Sequence, residues 1–250
     1  MHNELYKREY TKEFVARWDD LIGWDGRRAG ERGFFERLLA HRRVRRIADI
    51  AAGTGYHAIT LADRGFEVVA ADGSENMIEQ TRRNAERFGV DLADLVVVDW
   101  RELDRRFGEG AFDAMLCLGN AFTHLFQHEA RLQALRAMHR TLRPGGLLVL
   151  DHRNYDRILD QGYSSKHQHY YTGDGVEVRP VEVNPKQVRF EYLYPDQRKY
   201  YLTLFPLRRE YTSALLREAG FAEVTCYGDF EDSFDPDEVD FIQQVARKAA

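Results

Sequence analysis

The chain has 250 residues, and its 36 basic and 41 acidic side chains give a formal net charge of -5. This length suits one large domain, or a domain with an insertion, and is enough to bury a sizeable core. Hydrophobic residues make up 44% and charged residues 31%, which is the balance of a folded globular protein. The acidic excess argues against a nucleic-acid partner. Two distant cysteines, Cys117 and Cys226, exclude a disulfide framework and offer no zinc-ligand spacing.

The N-terminal segment is charged from its fourth residue and has no apolar core of its own. It is therefore not typical of a secretory signal. Apolar runs along the chain stay well short of the ~20 residues that a membrane helix needs. We therefore expect a cytoplasmic protein without a membrane partner.

Apolar or β-branched runs alternate with amphipathic stretches between residues 46 and 150. This pattern predicts an α/β domain in which helices cover both faces of a parallel sheet. The expected strands are 47–51, 67–71, 94–98, 112–118 and 146–151. The clearest helix is expected at 128–142, because Leu132, Leu135 and Met138 share one face and an Arg-Pro-Gly-Gly stop signal follows. The first 40 residues are expected to form helices outside the sheet.

Residues from about 170 to 207 follow a different pattern. Three strand-like runs, 176–183, 187–194 and 200–205, are separated by turn sequences at 184–186 and 195–196. This arrangement predicts an antiparallel meander inserted into the domain. A further helix at 209–219 and apolar runs at 221–227 and 241–246 are expected to complete the main sheet, so that residues 41–250 form one domain with an insertion.

A glycine-rich loop, Asp-Ile-Ala-Ala-Gly-Thr-Gly at 49–55, follows the first predicted strand. Gly53 and Gly55 lack the Cβ atoms that would keep a ligand away from the backbone. Asp72 ends the second strand 17 residues after Gly55, where its carboxylate can accept both hydroxyls of a ribose. Because Ala58 also fits a loose dinucleotide fingerprint, a nicotinamide enzyme is one alternative and an ordinary turn is another.

Two more motifs follow the glycine-rich loop and Asp72 along the chain. Asp99 and Trp100 follow the third predicted strand and place a hydrogen-bond acceptor and a flat aromatic ring where an adenine can sit. Leu-Arg-Pro-Gly-Gly at 142–146 precedes the fifth strand. Together the four motifs resemble the Rossmann-like, seven-stranded class I S-adenosylmethionine-dependent methyltransferases. The resemblance implies S-adenosylmethionine as cofactor, with Asp72 on its ribose, and a meander that serves as a lid.

The ends of the fourth and fifth predicted strands indicate which family within this class the chain resembles. Leu-Cys-Leu-Gly-Asn-Ala-Phe-Thr-His-Leu at 116–125 and Leu-Asp-His-Arg-Asn-Tyr-Asp at 150–156 resemble the glycine N-methyltransferase family, in particular its microbial glycine/sarcosine N-methyltransferases of betaine synthesis. The similarity extends to 18–25, 205–208 and 227–230, so it covers nearly the whole chain. It implies a small amino-acid substrate: glycine is methylated to sarcosine, and sarcosine to dimethylglycine.

An amino-acid substrate needs a carboxylate clamp, whereas methyl transfer to a neutral amine needs little acid–base catalysis. Arg153, at the tip of the fifth strand, offers a rigid two-pronged donor. Asn120, at the neighbouring strand tip, can add an amide hydrogen bond. In the family, the matching arginine and asparagine hold the substrate carboxylate. The alternative role for Arg153 is a structural ion pair with Asp151 or Asp156.

The resemblance implies the other site residues by matching position. Tyr192, His124 and Arg208 are expected beside the substrate, with a satisfied core histidine as the alternative for His124. The N-terminal segment, 1–40, is expected to form a helical cap over the cofactor, where one of Arg27 and Arg28 meets the methionine carboxylate and the other is a surface charge. The expected cofactor contacts are Tyr10, Trp18, Arg27, Arg28, Ala51, Gly53, Gly55, Asp72, Met77, Asp99, Trp100, Leu118 and Gly119.

Two patterns point towards other functions. His124 and His128 have the spacing of a helical metal pair, but the sequence places no third ligand, so no metal is expected. The basic run at 41–46 lacks interleaved aromatic residues, which favours a solvated helix end over a nucleic-acid site. Two alternatives for the whole protein remain: a methyltransferase for dimethylglycine or another small amine, and a non-enzymatic S-adenosylmethionine-binding protein. The sequence leaves the oligomeric state open.

Overall fold

The computed structural model describes residues 5–165, 173 and 175–250. Five short helices come first: α1 (Leu5–Glu9), α2 (Lys12–Ala16), α3 (Trp18–Ile22), α4 (Trp24–Glu31) and α5 (Phe34–His41). The central part contains β1 (Arg46–Asp49), α6 (Tyr56–Asp63), β2 (Glu67–Asp72), α7 (Glu75–Phe88), β3 (Asp94–Val97), α8 (Leu103–Phe107), β4 (Phe112–Cys117), α9 (His128–Thr141), β5 (Leu142–Arg153) and α10 (Tyr155–Asp160). The last part contains β6 (Glu177–Asn184), β7 (Gln187–Leu193), β8 (Lys199–Leu204), α11 (Arg209–Glu218), β9 (Glu223–Gly228) and β10 (Phe241–Arg247).

Seven strands form one mixed sheet in the order β3-β2-β1-β4-β5-β10-β9. Strands β1 to β5 pair in parallel, and β10 runs antiparallel to both of its neighbours. The α/β class predicted from the sequence is therefore confirmed. Successive strands are added on one side of β1 up to β3 and on its other side from β4 onwards. Ligands are expected at the carboxyl ends of the strands near this reversal of strand order.

The predicted meander is confirmed as a separate antiparallel sheet, β6-β7-β8. Asn184 and Gln187 are paired across the tight turn between β6 and β7. The side-chain oxygen of Asn184 accepts hydrogen bonds from the backbone nitrogens of Lys186 and Gln187, at 2.9 and 3.0 Å, which explains the turn that the Asn-Pro-Lys sequence predicts. Residues 170–172 and 174 of the predicted insertion lie outside the described residues.

The core lies on both faces of the main sheet. Neighbouring residues of a strand point to opposite faces, so Ala48 belongs to one cluster of buried residues together with Leu135 of α9, while Ile47 belongs to a second cluster together with Phe35 of α5. All four side chains are buried. Strands buried on both faces contain nearly continuous apolar runs, and for this reason they could be predicted from the sequence.

The predicted start of β5 is wrong. The structure begins β5 at Leu142 and not at residue 146, because Leu142 already pairs with Phe112 of β4. The register then shifts by a bulge before Ala114 pairs with Leu147. Helix α9 ends at Thr141, before the Arg-Pro-Gly-Gly sequence. Within the described part of the chain, no helix combines the length and apolarity that crossing a membrane would require.

Candidate active site

A large cavity opens at the carboxyl ends of the parallel strands. Its empty volume, with the open mouth included, is about 1280 Å³. Typical small-molecule sites occupy ~300 to 1,000 Å³, so this cavity can hold two small molecules side by side. Side chains from α1, α3 and α4 and from β7 and β8 line it together with the strand ends.

Most of the predicted site residues meet in this cavity. The described residues that line it include Tyr10, Trp18, Arg27, Ala51, Gly53, Asp72, Met77, Asp99, Trp100, Leu118, Gly119, Asn120, His124, Arg153 and Tyr192. Gly55, Arg28 and Arg208 are not among its described lining residues. A Cβ atom at Gly55 would lie 2.8 Å from Cγ2 of Thr81 and 3.0 Å from Cδ1 of Ile59. Gly55 therefore permits close packing at the start of α6.

The glycine loop and Asp72 are joined by hydrogen bonds. The backbone nitrogen of Gly53 donates to Oδ2 of Asp72 at 3.0 Å, and that of Ser74 donates to Oδ1 at 2.9 Å. Each carboxylate oxygen keeps a second lone pair for a further donor. Burial raises the pKa of Asp72 to about 7, with nearby Asp49 adding to the shift and the backbone hydrogen bonds opposing it.

Asp99 and Trp100 shape the next part of the wall. The indole nitrogen of Trp100 donates to the backbone oxygen of Ile50 at 2.5 Å, which fixes the ring beside the loop after β1. Both carboxylate oxygens of Asp99 accept from the Arg101 guanidinium, at 2.8 and 2.5 Å. Burial would raise the pKa of Asp99, but these hydrogen bonds and the Arg101 charge outweigh it and lower the pKa.

The N-terminal helices are attached to the glycine loop through Asp19. Its carboxylate accepts from the hydroxyl of Thr54 at 2.5 Å, from the indole nitrogen of Trp24 at 3.0 Å and from the amide of Asn84 at 2.8 Å. A Cβ atom at Gly53 would make an ordinary contact with the indole nitrogen of Trp18, at 3.7 Å, so it is the backbone angle φ of 56° that favours glycine here.

Arg27 and Arg28 lie on different sides of α4, because successive residues of a helix are rotated by about 100°. Arg27 lines the cavity, and its Nε donates to Oε1 of Glu31 at 2.9 Å. Arg28 instead lines a small surface pocket beside Glu36 and Asp63. The structure thus places Arg27, and not Arg28, at the cavity.

Asn120 connects the tips of β4 and β5. It has a left-handed backbone, with φ of 62°, and its backbone nitrogen donates to Oδ1 of Asp151 at 2.7 Å. Its side-chain nitrogen donates to the Tyr155 hydroxyl at 2.9 Å, and its side-chain oxygen accepts from the backbone nitrogen of Arg153 at 3.1 Å. Asn120 therefore positions the backbone of Arg153 in addition to lining the cavity.

Arg153 is buried at the cavity among aromatic rings, with 7% of its surface exposed. Its guanidinium carbon lies 4.9 Å from the ring centroid of Phe190 and 5.1 Å from that of Phe241. Cation–π contacts of this kind stabilise a desolvated guanidinium. Burial raises the pKa of the neighbouring Tyr192 to about 12, against the opposing charge of Arg153. The Tyr192 phenol therefore keeps its proton at neutral pH.

His124 is linked to the N-terminal helices. Its Nε2 lies 3.0 Å from the hydroxyl of Tyr10. Burial lowers the pKa of His124 to about 4, so the ring is neutral at pH 7. His128 is instead hydrogen-bonded to the hydroxyl of Tyr211 at 3.0 Å. In the described ranges, no three His, Cys, Asp or Glu side chains are grouped as metal ligands.

Arg208 lies elsewhere, at the start of α11. Its Nη1 is 3.1 Å from Oδ1 of Asp156, and its Nη2 is 2.6 Å from Oδ1 of Asp160. These carboxylates raise the pKa of Arg208, chiefly through the hydrogen bonds with Asp160. In this structure the two carboxylates of α10 hold the side chain, so that Arg208 links α10 and α11, and its contact with the substrate stays a prediction.

Several lining residues were missed from the sequence. Leu202 and Leu204 of β8 line the cavity, and their alternate spacing on one strand face could have revealed them. Phe241 was missed because its place depends on the pairing of β10 with β5, which puts it opposite Arg153. Tyr6 packs so closely on Gly73 that a Cβ there would lie 2.6 Å from its hydroxyl.

Comparisons with known proteins agree with this geometry. A family model described as a methyltransferase domain matches residues 47–146. The chain is 44% identical over 246 residues to a glycine/sarcosine N-methyltransferase of Aphanothece halophytica, covering 98% of this chain and 92% of that protein. It is 45% identical over 243 residues to a protein of the same name from Halorhodospira halochloris, covering 97% of this chain and 90% of that protein.

A solved structure, an S-adenosylmethionine-dependent methyltransferase from Clostridium acetobutylicum, matches with a TM-score of 0.72 over 95% of this chain and 98% of that chain. Its sequence identity is 15%, so this likeness concerns the fold alone. It confirms the predicted Rossmann-like fold. The two sequence relatives carry the assignment further, because each is similar over nearly its full length. The chain belongs to the glycine/sarcosine N-methyltransferase family.

Proposed function

We propose that this protein transfers a methyl group from S-adenosylmethionine to the amine of glycine, giving sarcosine, and then to sarcosine, giving dimethylglycine. These are early steps of glycine betaine synthesis. The observation that carries the proposal is one cavity with two ends, defined by the strand order: Gly53 and Asp72 lie where β1 and β2 end, and Asn120 and Arg153 lie where β4 and β5 end. The family of the chain supports the same assignment.

The first end fits S-adenosylmethionine. The remaining lone pairs of Asp72 suit the two ribose hydroxyls. Trp100 and Asp99 suit the adenine, and Arg27 suits the carboxylate of the methionine part. When bound, this cofactor supplies a methyl group activated by a positively charged sulfonium.

The second end fits a small amino acid. A guanidinium binds a carboxylate through two parallel hydrogen bonds, and the rings of Phe190 and Phe241 restrict the Arg153 side chain before the substrate arrives. Asn120 fixes the Arg153 backbone from the neighbouring strand. The substrate carboxylate is thereby held at a fixed distance from the glycine loop, which orients the amine for an in-line attack.

The protein supplies position and a dry site more than it supplies acid–base groups. The attacking amine must be neutral, and its proton leaves to solvent before the transfer. His124 is neutral at pH 7 and engaged with Tyr10. The phenol of Tyr192 and the neighbouring rings provide electron-rich surfaces for a cationic methyl donor. We assign no residue as a catalytic acid or base.

A product assay by mass spectrometry tests the proposal. The protein is incubated with S-adenosylmethionine and, separately, with glycine, sarcosine or dimethylglycine. Products from glycine and sarcosine alone support the assignment. Product from dimethylglycine only would favour the alternative small-amine substrate. Tight binding of S-adenosylmethionine without product from any amine would favour a non-enzymatic binding protein.

A further inference from the structure

Glu31, the last residue of α4, is a buried carboxylate beside the cavity, with 5% of its surface exposed. Three groups surround it. The Nε of Arg27 lies 2.9 Å from Oε1, Nε2 of His57 lies 2.8 Å from Oε1, and the hydroxyl of Tyr56 donates to Oε2 at 3.2 Å. Because a carboxylate only accepts hydrogen bonds, Nε2 of His57 carries a proton here.

The carboxylate is ionised despite its burial. Burial would raise the pKa of Glu31, but the Coulomb interactions and hydrogen bonds with His57 and Arg27 outweigh this effect and lower the pKa. A buried charge is costly to a fold, and replacing a buried ion pair with apolar residues is often neutral or stabilising. This cost is consistent with a role for Glu31 in function.

The three partners of Glu31 all line the cavity, whereas Glu31 itself is not among the described lining residues. It therefore lies behind the cavity wall and contacts the residues that form it. Its hydrogen bond to Nε sets the plane of the Arg27 guanidinium, since that group is flat and rigid. The ring of Tyr56, 5.2 Å from the guanidinium carbon, restricts the same group.

We propose that Glu31 is a positioning residue, whose carboxylate orients the Arg27 guanidinium to receive the carboxylate of the methionine part of the cofactor. The inference rests on the proposed function, in which Arg27 binds that group. It also explains why Arg27 serves in this role while Arg28 does not: only Arg27 lies on the side of α4 that faces both Glu31 and the cavity.

Two ligands distinguish a Glu31 that orients Arg27 from a Glu31 that supports the cavity as a whole. S-adenosylhomocysteine carries the amino-acid part, whereas 5′-methylthioadenosine has the same adenosine and thioether without it. Glu31→Met keeps the approximate length of the side chain and removes both of its acceptor oxygens, whereas an amide oxygen of glutamine would still accept from Arg27. We expect the Kd of S-adenosylhomocysteine to rise about ten- to a hundred-fold, as expected when a charged hydrogen bond loses its geometry. We expect the Kd of 5′-methylthioadenosine to change less than about two-fold, measured by calorimetry.

A matched control and a second variant complete the test. Glu36→Met makes the same chemical change on α5, away from the cavity lining, and should leave both affinities unchanged. Arg27→Met combined with Glu31→Met removes both charges together, so that no uncompensated ion of this pair is buried. If Glu31 acts through Arg27, this double variant and Arg27→Met alone bind S-adenosylhomocysteine equally well, and this comparison carries the test should Glu31→Met fail to fold.

Three results would overturn the inference. An equal loss of affinity for both ligands in Glu31→Met would show that Glu31 supports the cavity as a whole. Unchanged binding of S-adenosylhomocysteine would show that Arg27 needs no orientation, and unequal binding by the two Arg27 variants would show that Glu31 acts independently. A wild-type protein that binds neither ligand would instead overturn the proposed function, and this inference with it.

Discussion

Acidification is expected to weaken binding of S-adenosylhomocysteine through Asp72. The pKa of this carboxyl is about 7, since burial and the neighbouring Asp49 disfavour its charge. Ribose hydroxyls donate to the ionised form, so the bound complex has a lower pKa than the free protein. Above pH 7 the carboxylate is charged in both states, and affinity is constant. Below pH 7 binding must release a proton, and Kd rises as the pH falls.

The magnitude follows from this linkage. Each pH unit below the free pKa raises Kd by up to about ten-fold until the bound pKa is reached, so that pH 5.5 costs about thirty-fold relative to pH 8. Asp72→Asn removes the titration and should make the profile flat. An asparagine has one side-chain oxygen, so either Gly53 or Ser74 loses its acceptor. This loss opposes the stability that is gained when a buried charge with a raised pKa is removed, so the test rests on the binding profile.

Calorimetric titrations between pH 5.5 and 8.5 measure both profiles. Asp49→Asn provides a control, because it removes the neighbouring charge and should move the onset of the decline to lower pH. A wild-type profile that stays flat over this range would refute the reasoning. The same would follow if Asp72→Asn retained the slope of the wild type.

Three further outcomes are expected. Arg153→Leu should raise the KM for glycine about a hundred-fold or more, because the substrate carboxylate loses a charged hydrogen-bonding partner. The Kd of S-adenosylhomocysteine should change less than about two-fold, and an equal loss of affinity for both ligands would contradict the carboxylate clamp. Tyr10→Phe removes the hydroxyl that meets His124 and should lower the unfolding free energy by about 1 kcal/mol in urea titrations; unchanged stability would contradict it. Arg208→Leu should leave the KM for glycine unchanged in rate assays, because its ion pairs lie outside the described cavity lining; a raised KM would return Arg208 to the substrate site.

The strand ends explain what the sequence could predict. Asp72 and Arg153 end strands that are buried on both faces, and such strands are visible as apolar runs. Because parallel strands place their carboxyl ends along one edge, residues far apart in the sequence could be assigned to one site. The glycine loop after β1 followed from the same pattern. These assignments depend on local sequence and on a general rule of topology.

Other parts of the site depend on tertiary contacts that no local pattern encodes. The choice between Arg27 and Arg28 depends on the rotational phase of a short helix relative to the sheet. Phe241 reaches Arg153 only because β10 enters the sheet antiparallel to β5. The resemblance places Arg208 beside the substrate, but the ion pairs with the carboxylates of α10 that hold it in the structure have no signal in the local sequence.

Under the proposed function, cofactor binding and turnover are expected to depend on pH through groups at different ends of the cavity. At the cofactor end, Asp72 titrates near neutrality, with a pKa of about 7. At the substrate end, burial lowers the pKa of His124 to about 4 and raises that of Tyr192 to about 12, so neither side chain changes its charge near pH 7. The pH dependence of cofactor binding therefore belongs to the protein, whereas the pH dependence of turnover at saturating cofactor belongs to the substrate amine. A protein that binds the amine but leaves its deprotonation to solvent needs no base in the cavity, which fits a site built from a guanidinium, an amide and aromatic rings.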